Sequence, residues 1–93
     1  MQFMVIEHFH GADAVSIYAR LAERGRQMPD GLDYVASWVS ADLSRCFQVM
    51  ACQDVTLLQR WVAAWRDLAG FEIIPVAEGA ATRQALEQAG PTG

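Results

Sequence analysis

The chain has no lysine, and all seven of its basic residues are arginine. Against eleven Asp and Glu this gives a net charge of −4 and a sequence pI near 4.9. That balance argues against binding along a phosphate backbone, which needs a basic face to displace counterions. The nearest approach to a basic patch is Arg20, Arg24 and Arg26, interleaved with Glu23. It reads as a solvated helix end with cations near the negative pole. Cysteine is scarce too: the two residues, Cys46 and Cys52, stand at C-x5-C, which is neither a zinc pair nor a redox C-x-x-C. An even separation on a strand puts both thiols on one face but too far apart for a disulfide, so reduced thiols and a cytoplasmic location are expected. No apolar run approaches the ~20 residues of a membrane span. "FMVI" near the start is too short for a signal-peptide core, so neither membrane nor export is expected.

What is abundant is apolar surface. Hydrophobic residues make up 53% of 93, with seven Gly besides, above the about 45–50% of ordinary globular chains. A chain this short buries only ~60–65% of the surface its unfolded form exposes. The surplus therefore predicts one domain with an apolar face covered by another subunit.

Periodicity gives the element order. "QFMVIEHF" (2–9) is dense in β-branched and aromatic residues and stops at Gly11, predicting a first strand. Asp13 caps a helix whose buried stripe is Val15, Tyr18, Leu21 and Ala22, running to about Arg26. "MPDGL" is a turn. "LDYVASWVS" (32–40) and "RCFQVMAC" (45–52) form a hairpin. Asp54 caps a second helix with Leu58, Trp61, Val62, Trp65 and Leu68 on its buried face, stopped by Gly70. "FEIIPV" (71–76) is the last strand, and Pro75 places it at an edge. Residues 79–89 can form a short Ala-rich helix, and "GPTG" reads as a frayed end.

The order β-α-β-β-α-β with right-handed crossovers predicts an α+β fold, the ferredoxin-like sandwich. Its four-stranded antiparallel sheet has the order 4-1-3-2, with both helices on one face. The domain spans residues 1–78, with a tail over 79–93.

"MQFMVIEHF", "LDYVASWV", "RCFQVMAC" and "LLQRWVAAWRDLAGFEIIPV" together resemble a family of short bacterial proteins. It is known as domain of unknown function 3303, within the dimeric α+β barrel superfamily. The likeness covers residues 2–78 and is most specific at Trp61, Trp65, Asp67 and the final strand. It implies a homodimer whose two sheets pack face to face into a barrel, and it implies no activity. The wider superfamily includes cofactor-poor monooxygenases, haem-degrading enzymes, isomerases and effector-binding modules, and none of their catalytic motifs matches this chain residue by residue.

The candidate chemistry is sparse. His8 and His10, with Glu7 or Asp13 near, lack a third clear ligand, so no metal is expected, and no cofactor-binding pattern is present. Glu7 and His8 lie on a central strand, where a charged side chain must be paired or wet. Pairing of Glu7 with Arg45 is one expectation, and His8 is the acid/base candidate for an enzyme. Placement of the hairpin residues depends on its register. A three-residue loop sets Trp38 opposite Cys46, Ala36 opposite Gln48 and Tyr34 opposite Met50 on the open face. Val35, Val39, Phe47 and Val49 then meet the helices. A two- or four-residue loop instead groups Trp38 with Arg45 and Phe47. The first register sorts apolar from mixed residues and is preferred. It makes His8, Tyr34, Trp38, Cys46 and Gln48 the ligand-binding candidates, on a face that suits a homodimer interface or a small apolar pocket.

Two functions follow. One is a small homodimer binding an apolar or aromatic molecule inside the barrel. The other is a cofactor-independent monooxygenase- or isomerase-like enzyme using His8. A role as an interaction module in a larger assembly stays open.

Overall fold

In the computed structural model, which describes residues 1–90, the strands are β1 (Gln2–Phe9), β2 (Asp33–Val39), β3 (Arg45–Ala51) and β4 (Ala69–Val76). The helices are α1 (Ala14–Arg24), α2 (Val55–Trp65) and α3 (Gly79–Ala89). The architecture is α+β, with one antiparallel four-stranded sheet in the order β2-β3-β1-β4, which is 4-1-3-2 read from its other edge. β4 is an edge strand, so Pro75 removes a donor only where the second side of the strand is unpaired. Residues 91–93, most of the expected frayed end, lie outside the described residues. Among those described, no helix is long and apolar enough to cross a membrane.

The helix starts follow from their caps. Asp13 accepts the Val15 N–H at 2.9 Å, and Asp54 accepts the Thr56 N–H at 2.9 Å, each satisfying an orphan donor of the first turn. Leu58, Trp61 and Trp65 are the buried face of α2, as the spacing predicts. The helix ends at Trp65, however, and Gly70 belongs to β4. In α1 the expected stripe is turned: Val15 is 74% exposed and Tyr18 is exposed, while Ala14 and Ile17 are buried. The cap fixes where the helix starts, and the row that begins at Ala14 is the one that meets the sheet. Every residue of α3 is exposed.

β1 alternates cleanly. Phe3, Val5, Glu7 and Phe9 are buried under the helices, and His8 on the other face is exposed. β3 pairs with it so that Met50 faces Phe3, Gln48 faces Val5 and Cys46 faces Glu7. The core joins these positions to Ile17, Leu58, Trp61 and Trp65.

The hairpin overturns the preferred register. The Arg45 carbonyl accepts the Ser40 N–H, which closes a four-residue loop. Asp42 builds that loop by accepting the Ser40 hydroxyl, the Ser44 hydroxyl and the Ser44 N–H on one oxygen, with Leu43 at φ 64°. Trp38 therefore pairs with Phe47 and Val39 with Cys46. A bulge at Val35 restores the pairing of Tyr34 with Met50, so Tyr34 and Ser37, three apart, share the helix side. Cys46, Gln48 and Met50 thus meet the helices, and Phe47 and Val49 lie on the open face, the reverse of the expectation.

Candidate ligand site between the helices and the sheet

Glu7 is the residue around which the site is built. Alternation in β1 turns its side chain under the helices, and β1 is central, so the residue is 5% exposed. Its strand neighbours are Cys46 on β3 and Phe71 on β4. Among the described residues no arginine forms an ion pair with it, and the expected pairing with Arg45 does not form: Arg45 pairs in register with His8 on the opposite face. Its partner is Gln48, whose Nε2 donates to Glu7 Oε1 at 2.5 Å. One neutral hydrogen bond offsets only part of the cost of burying a carboxylate. Burial therefore pushes the Glu7 pKa from 4.5 up to about 7, with the Gln48 bond pulling the other way.

The opposing thiol is shifted as well. Burial, then the Glu7 charge, pushes Cys46 up to about 12, with Arg26 acting against them. A thiol held so far from ionisation is no nucleophile. Cys46 and Cys52 are both buried and free.

Over this polar pair lies a cavity of about 100 Å³. The sheet supplies Glu7, Gln48 and Cys46, α1 supplies Ile17 and Tyr18, and α2 supplies Trp61 and Trp65. An engineered apolar cavity of about 150 Å³ holds a benzene molecule. The space here is smaller and open on one side, so a small ring would lie partly in it and partly at its opening. Gln27 Nε2 is the one sealed side-chain polar atom left without a partner among the described residues. Glu7 lines the cavity, and among the described residues its recorded side-chain hydrogen bond is the one from Gln48 to Oε1.

The mouth is held by the segment after α1. Trp61 and Trp65, one turn apart, both donate their indole N–H to the Arg26 carbonyl, at 3.1 and 3.0 Å. That double anchor fixes the Arg26 backbone, and its guanidinium lies 3.7 Å from the centre of the Tyr34 ring. The Tyr34 hydroxyl is 2.6 Å from Ser37 Oγ. Behind, Arg20 grips Asp67 with both terminal nitrogens, at 2.7 and 2.5 Å, tying α1 to the end of α2.

The structure divides the five predicted ligand residues. Cys46 and Gln48 line the cavity, while Tyr34 is not in its wall and touches the site only through the Arg26 guanidinium stacked on its ring. His8 and Trp38, the latter 58% exposed, lie on the open face and do not share that space. His10 is in the single 3₁₀ turn after β1 (His10–Ala12), 3.4 Å from the Arg66 carbonyl. Among the described residues no three His, Cys, Asp or Glu side chains gather as metal ligands. The sequence reading missed Arg26, Ser37 and the cavity-facing part of Trp61 and Trp65. The available signal was two indoles at i, i+4, since both N–H groups need a partner when buried.

The open face carries Ile6, Phe47, Val49, Trp38 and Ile74, with His8, Arg45 and Glu72 among them. It is an apolar surface rimmed by charge.

Comparison with known proteins gives three likenesses. A pentatricopeptide repeat-containing protein of Arabidopsis thaliana is 35% identical over 68 residues, which is 70% of this chain. The chain spans only 10% of that relative's length. A protein of Agrobacterium tumefaciens solved by X-ray crystallography is 13% identical, with a TM-score of 0.48 over 85% of this chain and 96% of that one. The third likeness is nearly full length, a family model that matches residues 1–90, and by it the chain belongs to the family described as Domain of unknown function (DUF3303).

Proposed function

We propose that the protein is a small-molecule binding module that pairs with a second copy of itself. The ligand would occupy the cavity between the helices and the sheet, and the open sheet face would meet its counterpart. The observation that carries the reading is the Glu7–Gln48 pair. A carboxyl placed in an otherwise apolar core costs stability, and here it borders the cavity. A site of few polar groups within aromatic and aliphatic walls is the usual form of a small-ligand pocket. The ligand is thus apolar or aromatic, and it sits beneath the helices and not inside a barrel formed by two sheets. An acid/base role for His8 would belong to the open face, which it shares with Trp38, and not to this cavity, because His8 and Gln48 stand on opposite faces of the sheet.

The test is binding of ring-sized probes such as toluene and phenol, read by tryptophan fluorescence and by thermal shift. Trp61 and Trp65 line the cavity and would report occupancy directly. Saturable binding that is lost in Leu21→Trp, which fills the cavity from α1, supports the reading. Binding that survives this change places the ligand elsewhere and overturns it.

A further inference from the structure

Given that the cavity holds a ligand, the nature of its walls narrows the class. Glu7 lines the hollow, its carboxyl takes one hydrogen bond, from Gln48 to Oε1, and among the described residues no cation lies within ion-pair reach of it. The one cationic side chain on the cavity wall, Arg26, is stacked on Tyr34. The remaining walls include four aromatic rings, Phe9, Tyr18, Trp61 and Trp65. Aromatic faces attract cations, most strongly where water is excluded. Trp65 already does so on one side, with the Arg20 guanidinium 5.6 Å from its ring centre. A buried carboxylate without a counter-ion, set among ring faces, is chemically complementary to an organic ammonium ion.

We infer that the ligand is a small primary amine on a ring-sized apolar body, its ammonium group donating to Glu7 and its ring packed against the wall that Trp61 and Trp65 form. An anionic ligand would meet the repulsion of Glu7. A neutral one would leave the carboxylate as poorly compensated as before. The net charge of −4 on the chain also raises the local concentration of cations over anions.

The charged and titratable groups facing Glu7 are few. Cys46 opposes it on β3, Tyr18 comes from α1 and Arg26 from the loop at the mouth, while α2 contributes only Trp61 and Trp65 and the β4 neighbour is Phe71. Glu7, pushed up to about 7, changes charge between pH 5 and 8, while Cys46, pushed up to about 12, stays a neutral thiol across it. Amine binding should therefore strengthen as pH rises through that interval.

Three probes of similar size test the inference on the intact protein by calorimetry: benzylamine, its isostere benzyl alcohol, and benzoate. At pH 8 benzylamine is expected to bind about tenfold or more tighter than benzyl alcohol, the scale of a hydrogen bond to a charged group. Benzoate should bind weakest. The gap between amine and alcohol should close toward pH 5, and in Glu7→Gln it should vanish while the alcohol still binds. The wild-type comparison stands even if the variant folds poorly. Equal binding of alcohol and amine overturns the ammonium reading and leaves the cavity in place. Tightest binding of benzoate also overturns it and makes Arg26 the anchor. Failure of all three probes to bind overturns the cavity reading itself.

Discussion

Gln48 Nε2 and Glu7 Oε1 meet at 2.5 Å between the two central strands of the sheet, beneath both helices. Neither residue is what an economical core would hold there: Phe3, Val5, Phe9 and Met50 occupy the surrounding positions of the same face. A sequence that satisfies the rules of patterning nearly everywhere and breaks them at one buried pair makes that pair the natural centre of the proposed ligand site. The break has a measurable thermodynamic consequence.

Glu7 makes stability fall as pH rises. Its carboxyl binds a proton more tightly in the folded chain, at about 7, than at the ordinary value of 4.5. Its contribution is thus fully present below about 4.5 and is lost as pH climbs through about 7, a change on the order of 3 kcal/mol. The carboxylates held below their usual range, Asp13, Asp42, Asp54 and Asp67, act with the opposite sign and at lower pH. Urea unfolding at pH 5.5 and 8 should show wild type losing stability between the two, while Glu7→Gln stays level and exceeds wild type at pH 8. Parallel slopes in the two proteins would remove Glu7 as the cause.

Cys46 should be inert as a thiol. Burial and the Glu7 charge push it up to about 12, so its thiolate is scarce at any pH at which the fold is handled. Cys52 is equally sealed, at 5% exposure. Native protein at pH 8 should react with a disulfide reagent far more slowly than the urea-unfolded chain, which should release both thiols at once. Rapid labelling of one thiol in the native state would show the cavity wall at Cys46 to be open.

The sequence carried most of the architecture, because the signals that set it are local. Asp13 and Asp54 announce helix starts, Pro75 demands an edge, and the apolar density of residues 2–9 demands a strand. The site was less legible for one reason. Faces of a strand invert with a single residue of register, and the register was decided by Asp42 gathering Ser40 and Ser44 into a four-residue loop. Sorting apolar from mixed residues pointed the other way, since Phe47 and Val49 look like core while they face outward. Glu7 was identifiable as an anomaly in a central strand. Its partner was not, because Gln48 is 41 residues away and its face followed from the loop.

Trp61 and Trp65 should show coupled effects. Both indoles donate to one acceptor, the Arg26 carbonyl, so either alone keeps that carbonyl satisfied. Trp61→Phe or Trp65→Phe should each cost about 1 kcal/mol for the lost bond. The double variant should exceed the sum by about another 1 kcal/mol, because the carbonyl then has neither donor and the mouth of the cavity is released. A double-mutant cycle from urea denaturation measures this. Strict additivity would mean that the shared carbonyl is satisfied by water once either indole is gone.

Phe47 should control assembly. It pairs with Trp38 at the centre of the open face, with the Arg45 guanidinium 5.2 Å from its ring. Strands of this length, at ~3.3 Å per residue and ~4.8 Å between neighbours, span roughly 25 by 19 Å. A flat area of about 500 Å², roughened by side chains, approaches the ~800 Å² per partner of a standard stable interface. Sedimentation at micromolar concentration should therefore give a dimer for wild type. Phe47→Glu places a charge at the centre of two apposed apolar faces and should give a monomer whose cavity still binds its probe. Val15→Glu, on the exposed side of α1, should leave the dimer intact. A wild-type monomer would mean that the open face meets solvent. A dimer insensitive to Phe47→Glu but broken by Val15→Glu would move the interface to the helices and over the mouth of the cavity.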